Sequence, residues 1–132
     1  MTRIHVLVVD DEPDFLKLIQ RRLAKRNVDV DVATSGESAL EQLRKNSVDV
    51  VILDVKMPGL SGIETLKEIR KRFGNIAVIM LTGHGSVKSG IDGMSHGAYD
   101  YILKPFSIDD LLERIRAASE HSRLKRQDRG EA

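Results

Sequence analysis

Three kinds of side-chain group in this sequence could share one task. They are the carboxylates of Asp10-Asp11-Glu12 and Asp54, the hydroxyl of Thr82 and the ammonium of Lys104. Carboxylates brought together repel and raise each other's pKa unless a cation joins them. No His or Cys accompanies the acids at a ligand spacing, so a soft metal does not suit them. A hard cation does. Mg²⁺ takes one or two carboxylates, keeps waters and leaves positions for phosphate oxygens. Lys104 and Thr82 would add a charge and a hydrogen bond to a phosphoryl oxygen. Phosphoryl transfer asks mostly for positioning and charge neutralisation. A carboxylate such as Asp54 can serve as the covalent nucleophile.

These residues must be brought together by the elements that carry them. Strand and helix patterns alternate five times along the chain. Ile4–Val9, residues 48–53 and residues 76–81 are nearly continuous runs of Val, Ile and Leu. Parallel strands covered by helices on both faces read that way. Val28-Asp29-Val30-Asp31-Val32 alternates and is expected at a sheet edge. Tyr99-Asp100-Tyr101-Ile102-Leu103 is mixed and is expected at the other edge. Phe15, Leu18, Ile19 and Leu23 recur at helical spacing, as do Leu40 and Leu43, then Ile63, Leu66 and Ile69, then Leu111, Leu112 and Ile115. Ser61-Gly62-Ile63-Glu64 fits a capping box, and Ser107 ahead of Asp109 and Asp110 marks another helix start.

This alternation predicts an α/β sandwich with right-handed crossovers. Ligands of such open sheets sit beyond the C-terminal ends of the strands. Those ends carry Asp10-Asp11-Glu12, Asp54, Thr82-Gly83 and Lys104-Pro105. Each has an ordinary explanation alone; Asp11 or Asp14 could simply cap the first helix. Joint placement on one rim favours the chemical reading.

The chain has 132 residues, 41% of them apolar, enough for one core. Its 21 basic and 20 acidic residues leave a net charge of +1, which argues against a general nucleic-acid binder. Without cysteine, disulfide scaffolds and thiolate metal sites are excluded. No apolar run approaches a membrane span or a signal peptide, and the protein reads as cytoplasmic.

Asp10-Asp11-Glu12-Pro13, Asp54-Val55-Lys56-Met57-Pro58-Gly59-Leu60-Ser61-Gly62, Leu81-Thr82-Gly83-His84-Gly85 and Gly97-Ala98-Tyr99-Asp100-Tyr101-Ile102-Leu103-Lys104-Pro105-Phe106 together resemble the receiver domain of bacterial two-component response regulators. The likeness covers about residues 3 to 120 and is most similar to receivers that precede ATPase or DNA-binding output domains. It implies a doubly wound, flavodoxin-like sheet of order 2-1-3-4-5. It implies that Asp54 accepts a phosphoryl group from a sensor histidine kinase or from acetyl phosphate. Asp11, Asp54 and the Lys56 backbone carbonyl would bind Mg²⁺, with Asp10 acting through water. Lys104 would pair with the phosphoryl oxygens, Thr82 would hydrogen-bond them, and Tyr101 would swing inward behind Thr82. The Lys104-Pro105 bond would be cis. The fourth helix, fifth strand and fifth helix would form the surface that changes and controls an output domain, transcriptional in kind, or a partner. Phosphorylation-dependent homodimerisation through that surface is a family-level expectation. The domain would not be a conventional enzyme, though it would promote its own phosphorylation and dephosphorylation.

Several finer expectations follow. Lys56 and His84, two residues after Asp54 and Thr82, would tune phosphoryl lifetime. The fourth helix is expected over about Ser86 to His96, with Val87, Ile91 and Met94 at helical spacing, but Gly90 and Gly93 weaken it, at about 1 kcal/mol each relative to Ala. Replacing both is expected to stabilise one conformation and blunt activation. An aspartyl-phosphate phosphatase would want a second acid where Lys56 stands. A nucleotide or flavin domain would want a glycine-rich loop where Asp10-Asp11-Glu12-Pro13 stands. Residues 1–120 are read as the receiver and 121–132 as a charged tail or linker. From Ser119 onward the apolar pattern fades into a helix end or solvated linker, read as cut before an effector domain.

Overall fold

A computed structural model describes residues 3–83 and 87–128. The elements follow in order: β1 (Ile4–Val9), α1 (Pro13–Ala24), β2 (Val28–Ala33), α2 (Gly36–Lys45), β3 (Val50–Asp54), α3 (Gly62–Arg72), β4 (Ala77–Thr82), α4 (Val87–Ser95), β5 (Asp100–Leu103) and α5 (Ile108–Asp128). All five strands are parallel, in the order β2-β1-β3-β4-β5. The expected edges are therefore the observed ones.

Strand side chains alternate between faces, and the two faces feed two cores. Val6, Val8, Val50, Ile52, Ile79 and Leu81 pack with α1 and α5 residues such as Leu23 and Ile115. Leu7, Val9, Val51, Leu53, Val78 and Met80 pack with Leu43, Leu66 and Ile69 of α2 and α3. Each such buried side chain is worth about 1.5–3 kcal/mol relative to exposure. A central strand with both faces covered has no polar side, which is why β1, β3 and β4 read as nearly continuous apolar runs.

Helix starts follow the sequence closely. Ser61 accepts from Glu64 N–H while the Glu64 carboxylate accepts from Ser61 N–H, completing the capping box of α3. Ser107 Oγ accepts from Asp110 N–H at the start of α5. Gly62 is required where α3 leaves the end of β3. A Cβ there would stand 2.2 Å from the Asp54 carbonyl oxygen and 2.6 Å from Val55 Cα. The Lys104-Pro105 bond is cis.

Three expectations change. On α1, Leu16 rather than Leu18 joins Ile19 and Leu23 in the core, and Leu18 stays exposed. On α4, Ile91 and Met94 keep helical spacing but face outward, while Gly93 packs on Met80. The helix expected from about Ser86 begins among the described residues at Val87. The third change is at the C-terminal end, where, of the helix end or solvated linker expected from Ser119 onward, the helix forms and α5 runs on to Asp128. Ser119 and Ser122 are buried, and Ser122 Oγ donates to the Asn75 carbonyl at 2.8 Å. Arg123 and Arg126 both reach the carboxylate of Asp49, which also accepts from His5 N–H. The buried stripe simply continues on small polar residues, which a hydropathy pattern does not register. Among the described residues no helix is long and apolar enough to cross a membrane.

Candidate functional site

The C-terminal ends of β1, β3, β4 and β5 bring the expected residues to one rim. Asp10 and Asp11 directly follow β1, Asp54 is the last residue of β3, Thr82 is the last of β4, and Lys104 follows β5. Asp10 is fully buried and tightly held. Its backbone N–H donates to Ala33 O at 3.1 Å. Its Oδ1 accepts from Glu12 N–H at 2.9 Å, and its Oδ2 accepts from Lys104 Nζ at 3.1 Å.

The helix-capping explanation of the acids loses ground here. The N-cap of α1 is Glu12, with no side-chain cap hydrogen bond, and Pro13 opens the helix. The charge of Asp11 is instead felt at Asp54, whose pKa it helps to raise. Among the described residues, Asp10, Asp11 and Glu12 bring carboxylate oxygens within 4.8 Å of one another. Glu12 has no assigned role in the sequence reading, yet it adds a third acid to this group.

Asp54 records the crowding. Burial, then the Asp10 charge, push its pKa up to about 6; Asp11 adds to the rise, while Lys104 and the Lys56 N–H oppose it. The Lys56 N–H donates to Asp54 Oδ1 at a long 3.4 Å, and the Lys56 side chain is exposed. One ammonium against this set leaves repulsion that a hard cation would relieve. The donors are all oxygen, so the residues present fit Mg²⁺. An open cavity of about 440 Å³ beside them is lined by Asp11, Val55, Lys56, Met57, Pro58 and Ser61.

Thr82 is buried, and its hydroxyl donates to Ile102 O at the long distance of 3.5 Å. Tyr101 is half-buried against the β4 face that carries Met80. Its carbonyl accepts from Arg114 Nη1, and that guanidinium also pairs with Asp100 and Asp110. His84 lies outside the described residues.

One feature of the rim was not visible as spacing. Lys104 Nζ stands 4.5 Å from the centroid of the Phe15 ring. Phe15 meets Phe106 edge-on, with centroids 6.3 Å apart. Phe15 reads in the sequence only as one more apolar position of α1.

The response regulator receiver domain family matches residues 6–116. The chain belongs to that family. The receiver is 37% identical over 130 residues to an uncharacterised transcriptional regulatory protein of Bacillus subtilis, YkoG, covering 98% of this chain and 57% of that protein. It is also 37% identical over 130 residues to a putative NtrX-like response regulator of Rickettsia bellii, covering 97% of this chain and 27% of that protein. The receiver therefore spans less than two thirds of the length of these relatives. Its fold matches the crystal structure of a response regulator receiver domain protein from Clostridium thermocellum, with a TM-score of 0.87 and 40% identity over 92% of this chain and 98% of that one. The order β2-β1-β3-β4-β5 is thus the fold of the response regulator receiver domain.

Proposed function

We propose that this receiver is a phosphorylation-activated switch in which Asp54 accepts the phosphoryl group. The observation that carries the reading is the pairing of opposites at one rim: a half-buried carboxylate raised to about 6 by burial and then by the Asp10 charge, with the Lys104 ammonium placed to balance new negative charge. Asp54 oxygen attacks the donor phosphorus as the donor's P–N bond, in a kinase phosphohistidine, or P–O bond, in acetyl phosphate, breaks. Bound Mg²⁺, held by Asp11, Asp54 and the Lys56 carbonyl with Asp10 through water, would neutralise the charge gathered by acids and phosphoryl oxygens.

The remaining work falls to this chain. Lys104 leaves Asp10 for the phosphoryl oxygens. Thr82 exchanges its long bond to Ile102 O for a stronger charge-assisted one. The space it vacates admits Tyr101, and the α4-β5-α5 surface shifts with it. Lys56 and His84 tune how long the phosphoryl group lasts. The domain promotes its own phosphorylation and dephosphorylation and turns over no other substrate. A sensor histidine kinase is the donor, and an output domain, transcriptional in kind, or a separate partner protein reads the surface. The phosphoacceptor site lies within residues 1–120, and α5 beyond them still packs on the same unit through Ser122, Arg123 and Arg126. Dimerisation through α4-β5-α5 follows phosphorylation, in the cytoplasm and without direct nucleic-acid contact by this domain.

Amide NMR spectra recorded before and after adding Mg²⁺ and acetyl phosphate test the reading. Shifts centred on Asp54, Thr82 and Tyr101 and extending into α4 are expected. Shifts confined to the acids, with Thr82 and Tyr101 unmoved, would contradict the switch.

A further inference from the structure

The rim holds a residue that the switch chemistry does not yet use. Phe15 sits in the first turn of α1, on the segment that begins with the acids Asp10 and Asp11. Its ring faces the Lys104 ammonium at 4.5 Å from the centroid, while Asp10 Oδ2 takes the same ammonium at 3.1 Å. The face of an aromatic ring carries negative charge density and attracts a cation. Phe106, two residues beyond Lys104, meets the Phe15 ring edge-on at 82° and sets its orientation. Ring, ammonium and carboxylate thus form a row across three segments, after β1, in α1 and after β5.

We propose that Phe15 is a positioning residue for Lys104, acting through the face of its ring; the role rests on the phosphoacceptor reading above. A lysine ammonium ends a flexible four-carbon stem and is strongly hydrated. Left with Asp10 alone, its other N–H groups would draw it toward water, away from the rim. The ring closes that path without offering a second full charge. The ammonium is therefore held near Asp54 by one carboxylate and one weak, adjustable contact. A short turn then carries it to phosphoryl oxygens as they gain charge, and little of the stem's freedom remains to be lost at that moment.

Phe15 also packs against the core, so truncation alone would confuse packing with positioning. Fluorination separates them, because it drains the ring face of charge at nearly constant size. Phe15 is replaced in turn by mono-, tri- and pentafluorophenylalanine, and by leucine as Phe15→Leu. Two quantities are read. One, without metal, is the upfield ring-current displacement of the Lys104 ε-protons. The other is the rate of phosphoryl uptake from acetyl phosphate with Mg²⁺. The displacement is expected in the unmodified protein and lost in Phe15→Leu. The rate is expected to fall stepwise with fluorination, by about fivefold at the pentafluoro ring, with Mg²⁺ affinity unchanged. A displaced ε-proton signal with a flat rate series would overturn the positioning role. No displacement in the unmodified protein would overturn the contact itself. No phosphoryl uptake by the unmodified protein, with the displacement present, would overturn the phosphoacceptor reading and this role with it.

Discussion

Lys104 Nζ donates to Asp10 Oδ2 across 3.1 Å, tying the end of β5 to the end of β1, 94 residues away in sequence. Asp10 is fully buried, so its charge depends on this partner more than an exposed one would. If Mg²⁺ neutralises the same acids, ammonium and cation compete for one role. A double-mutant cycle between Asp10→Asn and Lys104→Met should give a coupling of about 1–2 kcal/mol in metal-free protein by urea unfolding. The coupling should shrink when Mg²⁺ is added. An unchanged value would mean that the cation binds elsewhere.

Asp54 makes the metal-free domain pH-dependent in a direction opposite to that of an ion-paired acid. Its folded pKa, about 6, lies above its unfolded value. The folded state therefore holds a proton that the unfolded state releases between about pH 4 and pH 6. Stability from this group is present below that window and is lost as pH rises through it. Asp54→Asn, measured in EDTA, should be more stable than wild type at pH 7 by about 1–2 kcal/mol, after discounting for the solvent that reaches the half-buried group. The gap should close toward pH 4.

Asp49 behaves in the opposite sense at the other end of the sheet. Burial pushes its pKa up, but the His5 N–H and the guanidiniums of Arg123 and Arg126 outweigh this and hold it below the usual carboxylate range. Its stabilisation is present above the unfolded pKa and is lost as pH falls through the folded one. Asp49→Asn should cost about 2 kcal/mol at pH 7 and loosen the end of α5, seen as faster amide exchange around Ser122. The cost should fade as pH falls below the usual carboxylate range.

Gly93 reverses an expectation drawn from helix propensity. A Cβ there would stand 2.8 Å from Cγ of Met80, which is fully buried on β4. Removing a helical glycine would add about 1 kcal/mol of helix stability. The forced shift of Met80 costs more, typically 1–3 kcal/mol. Thermal unfolding should show Gly93→Ala below wild type. A higher midpoint would mean that α4 moves away from β4 at little cost.

The sequence displayed the elements well where one physical rule decided them. Val50 to Leu53 lie between two helical layers, and an unbroken apolar run records that burial. Ser61 and Glu64 display a cap because capping is local. The rim acids were readable because a parallel sheet places every strand's C-terminal end on one side. What stayed hidden depends on contacts made far along the chain. Asp49 meets Arg126 across 77 residues, and nothing near Asp49 announces it. Leu16 and Leu18 look alike until the tilt of α1 on the sheet buries one and exposes the other. Phe15 looks like core until Lys104 arrives beneath its ring.

The central claim is covalent chemistry at one carboxylate, and intact mass reads it directly. The protein is incubated with acetyl phosphate and Mg²⁺, with and without EDTA, beside Asp54→Ala. A base-labile gain of one phosphoryl group, abolished by EDTA and absent in Asp54→Ala, is the result this account predicts. An equal gain in Asp54→Ala, or no gain in a wild-type protein that binds neither phosphoryl group nor Mg²⁺, would contradict it.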